Sequence, residues 1–187
     1  MPPKVKVSKE NIVQTAFDIV RQQGAQALNA RVVASELGCS TQPIFSNFAT
    51  MEELKTAVVA EADALYQEYT CRETESGEYP PYKASGMAYI RFAKEEKELF
   101  KLLYMCDRSA GETSVDETSF AQMTDMVRSN MGIEEETARL FHLEMWAYVH
   151  GIATMFATGF LDLNWTLVSR MLSDAYLGLC KQYGMEG

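Results

Sequence analysis

The sequence predicts an all-α protein of about nine helices, and three observations carry that prediction. Apolar residues recur three and four positions apart through most of the chain, which is the spacing of one helix face. No stretch of useful length alternates apolar and polar residues as a half-buried strand would. Capping residues and glycine stops punctuate the pattern where helices should begin and end.

The first helix carries Ile12, Val13, Ala16, Phe17 and Val20 on one face, with Ser8 as its N-cap and Gly24 as its stop. A short second helix follows the N-cap residue Asn29, carries Val32, Val33, Ala34 and Leu37, and ends at Gly38. A third opens after Ser40, with Pro43 in its first turn, where a missing N–H costs little. Thr50 caps a fourth, and Glu53 three residues on completes a capping box. That helix runs some 25 residues, through Leu54, Val58, Leu65 and Tyr69. Gly77, Pro80 and Pro81 place a break over residues 72–83. A helix pair is expected over 82–94 and 95–106, then a loop over 107–116. Helices follow near 117–131, 134–160 and 164–183.

The run from Leu140 to Leu161 spans 22 residues, long enough for a bilayer. It contains Glu144, His142 and His150, and no Lys/Arg cluster flanks it, so it reads as a buried helix rather than a membrane span. The N-terminus lacks the apolar stretch of a signal peptide, and the expected location is the cytoplasm. The cysteines, Cys39, Cys71, Cys106 and Cys180, form no CxxC unit, so neither a zinc pair nor a redox motif is expected.

The net charge of −9 argues against a general nucleic-acid coat protein. The charge is unevenly divided. Residues 1–56 hold six basic and five acidic side chains, and the remainder holds eleven and twenty-one. Three of those basic residues, Lys4, Lys6 and Lys9, lie at the very start. This split suggests two regions with different partners.

Residues 29–48 hold two short helices joined by a tight turn, Gly38-Cys39-Ser40, which is the pattern of a helix-turn-helix. In that motif the second helix enters the major groove with its N-terminal residues facing the bases. Here those residues are Thr41, Gln42 and Pro43, then Ser46 and Asn47. Gln and Asn can pair bidentately with adenine, and Thr and Pro offer apolar contact to a thymine methyl. Ile44 and Phe48, four apart, are the inward face.

Residues 12–54 resemble the DNA-binding domain of the tetracycline-repressor (TetR/AcrR) family of bacterial transcription regulators. The stretches IVQTAFDIVRQQGAQAL, NARVVASELGCS and TQPIFSNFATMEEL mirror that family's first, second and recognition helices. The resemblance implies a homodimer that binds double-stranded DNA at a palindromic operator. Its contacts would come from Lys4, Lys6, Lys9, Asn29, Arg31, Thr41, Gln42, Pro43, Phe45, Ser46 and Asn47. The family usually carries Tyr where Phe45 stands, His at Asn47, and Lys at Met51. The family tyrosine reaches a phosphate with its hydroxyl, a contact that Phe45 cannot make.

The expected division is therefore residues 1–50 for DNA binding and 51–187 for ligand binding and dimerisation. Residues 146–151 (WAYVHG) and 89–105 resemble a Trp…His-Gly subtype of C-terminal domain in the family, which implies a small-molecule effector. Candidates for its pocket are Met87, Ile90, Phe100, Leu103, Tyr104, Met123, Trp146, His150 and Phe156. His142 and His150, eight apart, are too far separated to hold one metal, so no metal or cofactor is expected. The 134–160 helix is apolar nearly all round, which calls for a partner subunit as cover. Met155 and the stripe Trp165, Val168, Leu172, Tyr176, Leu179 are the candidate dimer surface.

An enzyme is not expected: there is no phosphate loop, no GxSxG and no HExxH. The expected function is a ligand-responsive repressor. The alternative is a small-molecule-binding or adaptor protein of the same fold with weak or lost DNA binding.

Overall fold

The computed structural model describes residues 7–105 and 116–184. Among them are nine α-helices and one 3-10 turn, with no strand. The loop expected over 107–116 lies almost wholly outside the described residues, as does Cys106. The chain divides into two compact units, Met1–Leu65 with Glu96–Cys106, and Tyr66–Glu95 with Asp107–Gly187.

In the first unit, α1 (Lys9–Gln23) begins where Ser8 Oγ accepts the Asn11 N–H at 3.2 Å. It buries Ile12, Ala16, Phe17, Ile19 and Val20. It ends at Gly24, whose φ of +86° favours a residue with no Cβ. A Cβ there would also sit 2.7 Å from a Glu98 carboxylate oxygen. A 3-10 turn (Ala25–Ala27), which periodicity did not signal, leads to α2 (Ala30–Glu36). Asn29 caps α2: its Oδ1 accepts the Arg31 and Val32 N–H groups at 3.1 and 3.0 Å. Gly38, at φ +62°, lets the chain turn sharply so that the Cys39 N–H reaches the Ala34 carbonyl at 2.9 Å. Then come α3 (Gln42–Asn47) and α4 (Met51–Glu75). Thr50 Oγ1 accepts the Glu53 N–H at 3.2 Å, and Glu53 reaches back to the Ala49 N–H at 2.7 Å.

The unit is completed from far along the chain by α6 (Lys97–Tyr104), which packs on α1 and buries Leu99, Phe100 and Leu102. Arg21 of α1 grips Glu96, which is only 6% exposed, with both of its fork nitrogens. Residues 96–106 belong to the first compact unit because α6 packs on α1.

In the second unit the end of α4, α5 (Pro81–Glu95), α7 (Asp116–Met131), α8 (Glu135–Ala157) and α9 (Trp165–Gln182) enclose a core. The most extensive packing is α5 on α8, followed by α7 on α8. Phe141, Met145, Val127, Ala138 and Cys180 form one cluster, with Tyr176, Leu179 and Tyr183 against it. Residues 72–75, placed by the sequence in a break, are helical. Glu73 is buried there and paired with Arg91 of α5, a tertiary contact that holds the last turn of α4. Helix α8 stops at Ala157 instead of Phe160, because the Phe160 and Leu161 N–H groups both turn back to the Met155 carbonyl, at 2.9 and 3.3 Å. Asn164 Oδ1 then caps α9 by accepting the Leu167 N–H at 2.9 Å. Among the described residues no helix is long and apolar enough to cross a membrane.

Candidate nucleic-acid interface

The sequence of α3 sorts its residues onto two faces. Ile44 and Phe48 are 0% and 1% exposed and seat the helix in the first unit. Gln42, Phe45 and Ser46 lie exposed on the other side, and Thr41, Pro43 and Asn47 are half-buried at the edges. Ser46 Oγ donates to the Gln42 carbonyl at 2.9 Å, and Asn47 Nδ2 donates to the Pro43 carbonyl at 2.8 Å. Both side chains are thereby tied to their own helix. Gln42's amide and Phe45's ring have no such tie among the described residues and stand outward.

The other expected contacts separate into two groups. Arg31 is exposed on α2. Asn29, in contrast, is occupied: besides capping α2, its Nδ2 donates to the Ala27 carbonyl at 3.2 Å. Lys9 is held against the protein, with Nζ 3.8 Å from Glu53 and 4.8 Å from the centre of the Phe48 ring. Lys4 and Lys6 lie outside the described residues. Glu52 and Glu53 fill the first turn of α4. Their charge competes with any phosphate for the positive end of that helix.

The candidate pocket residues divide between the units. Phe100, Leu103 and Tyr104 belong to the first, where Phe100 is fully buried and its ring lies 5.2 Å from Tyr104. The others belong to the second. Met87, Ile90 and Phe156 are buried core, whereas Met123, Trp146 and His150 are half-buried. Trp146 stacks on the His150 imidazole at 4.9 Å, and His150 Nδ1 is 2.9 Å from the Tyr89 hydroxyl. About two helical turns away, His142 Nδ1 is 2.9 Å from the Tyr82 hydroxyl, and Phe120 lies 4.5 Å from the imidazole. Both histidines of the chain therefore have tyrosine partners on α5. Neither Tyr82 nor Tyr89 lies in a motif that marks it as a site residue. Their spacing of seven against the eight of the histidines was the signal available. Among the described residues no group of three or more His, Cys, Asp or Glu could hold a metal ion.

The stripe on α9 points inward. Val168 and Leu172 are 0% and 3% exposed within the chain itself, and Tyr176 and Leu179 pack on the Phe141 cluster. Trp165 is half-buried, with the Arg91 guanidinium 4.4 Å from its ring. A second chain would have no access to Val168 or Leu172. Periodicity located the stripe, but a one-face stripe is equally suited to an internal or an external partner. Met155 is exposed, and so are Leu140, Leu143 and Tyr148 of α8 and Leu167 and Leu177 of α9.

Residues 82–174 match a family model described as the tetracyclin repressor-like C-terminal domain. The chain carries a tetracyclin repressor-like C-terminal domain. The whole chain is similar to a solved structure of a TetR-like transcriptional regulator from Rhodococcus sp. RHA1, with 14% identity and a TM-score of 0.70. That alignment covers 96% of this chain and 98% of the other. A structure of a TetR family member from Streptomyces coelicolor A3 is similar with 16% identity and a TM-score of 0.60, over 89% of this chain and 96% of the other. At these identities the likeness is one of fold. No curated protein compared with the chain matches it.

Proposed function

We propose that this TetR-like chain is a DNA-binding transcription regulator. In this reading it represses by occupying a palindromic operator as a cytoplasmic homodimer, and a small molecule bound in residues 51–187 releases it. The observation that carries the reading is the outer face of α3. Gln42 and Phe45 stand free beside a buried Ile44–Phe48 anchor, on the second helix of a helix-turn-helix. Gln42 is assigned to base reading, and Arg31 to phosphate.

Dimerisation is assigned to the exposed apolar side of α8, through Leu140, Leu143 and Met155. A symmetric pair would present two α3 helices to half-sites one helical turn apart. The effector is assigned to the half-buried stacked pair Trp146 and His150, with Met123 as a further candidate, whose aromatic and thioether surfaces suit an apolar small molecule with one polar atom. Release requires the effector to favour a spacing of the two α3 helices that no longer fits the operator.

A mobility-shift assay with DNA upstream of the chain's own coding region tests the reading. The expected result is a specific shift that weakens steeply as salt rises. A folded dimer that shifts no fragment at low salt would refute it. The second reading, an adaptor or small-molecule-binding protein with lost operator binding, draws on the engagement of Lys9 with Glu53 and on the missing hydroxyl at Phe45. That outcome of the assay would favour it.

A further inference from the structure

We infer that Phe45 is a base-reading residue that recognises the 5-methyl group of a thymine lying within one base step of the adenine paired with Gln42. This rests on the DNA-binding reading above. Phe45 is 52% exposed on a helix whose other large apolar side chain, Ile44, is completely buried. Seating α3 therefore makes no use of the Phe45 ring. Its apolar face stays in water unless something apolar covers it.

The partner can be specified by position. Gln42 and Phe45 are three residues apart, so they share one face of α3 and are separated by about 4.5 Å along its axis. That distance is comparable with the rise of about 3.4 Å between successive bases of one strand. A glutamine amide pairs bidentately with N6 and N7 of adenine. The one apolar feature on the major-groove edges of the base pairs is the thymine methyl. A ring standing beside a glutamine amide on the same face thus meets a methyl of the same or the adjoining pair. Ser46 and Asn47 do not compete for that place, because their donors are turned back onto the Gln42 and Pro43 carbonyls.

The test uses the full chain and the upstream fragment that it protects in a footprint. Duplexes are made in which each thymidine of the protected half-sites is replaced in turn by deoxyuridine, which pairs identically but lacks the methyl. One thymine per half-site should cost about fourfold in affinity when replaced, the value of one buried methyl group. Replacement in both half-sites should cost about fifteenfold, since distant sites add. The salt slope should not change, because a methyl carries no charge. Phe45→Ala should bind the thymine and uracil duplexes alike at that position. Phe45→Leu should keep a smaller penalty there.

A flat uracil scan with wild-type protein on a protected fragment would overturn the inference while leaving DNA binding intact. So would a scan in which Phe45→Ala retains the wild-type penalty. A protein that protects no fragment overturns the DNA-binding reading itself, and this inference falls with it.

Discussion

Arg21 of α1 holds Glu96, seventy-five positions later, in a two-pronged ion pair that closes the first unit. Glu96 is 6% exposed, while the Arg21 side chain is 45% exposed. The carboxylate is thus the buried partner, and the arginine fork is its charge partner there. Arg21→Met leaves that carboxylate without its charge partner. Urea unfolding should show a loss of about 2 kcal/mol, the range for hydrogen bonds to charged groups. Adding Glu96→Gln should recover part of it, because the group left buried is then neutral.

Asn29→Ala removes the cap of α2. The expected cost is about 1 kcal/mol in thermal or urea unfolding, and Asn29→Ser should restore most of it. Well below the melting temperature the variant should keep the wild-type base preference. A changed preference would make Asn29 a DNA contact.

Gln42→Ala should weaken binding to the operator and relax the choice of base at one position of each half-site, at a cost of about 1–3 kcal/mol. Arg31→Ala should weaken binding to all sequences alike and lower the slope of log K against log salt by about one. Titrations at several salt concentrations separate the two. Unchanged sequence preference in Gln42→Ala would contradict the assignment of α3.

Leu143→Glu puts a charge on the exposed side of α8 and should yield folded monomers in sedimentation at concentrations where the wild type is dimeric. Val168→Asp should instead destabilise the chain itself, since Val168 has no exposed surface.

Tyr82 gives a pH signature. Burial raises the pKa of its hydroxyl well above the reference value of 10.0. The folded chain therefore holds this proton at a pH where the unfolded chain has lost it. The associated stability is complete below the unfolded-state value and is lost as pH rises past it towards the folded-state value. Unfolding free energy should fall more steeply with pH above about 10 in wild type than in Tyr82→Phe, where the group is absent. Parallel slopes in the two proteins would refute this.

Much of the architecture was legible in the residues. Ser8, Asn29 and Thr50 cap helices because an oxygen on a short side chain can reach the free N–H groups of the next turn, a purely local geometry. The seating of α3 by Ile44 and Phe48 was legible too, from spacing alone. The end of α4 was not. Residues 72–75 look like the start of a break, and they are helical because Glu73 meets Arg91, eighteen positions on.

The sequence by itself determined the helical class, the order of the helices and which faces are apolar, because periodicity and capping act within a few residues. Only the tertiary structure decided what those faces meet. It turned Val168 and Leu172 inward, occupied Asn29 and Lys9 with local partners, and left Gln42 and Phe45 standing free. The physical reason is that an apolar stripe or a polar side chain is satisfied equally well by any complementary surface. Which surface arrives is settled by residues distant in the chain, as Glu96 is from Arg21.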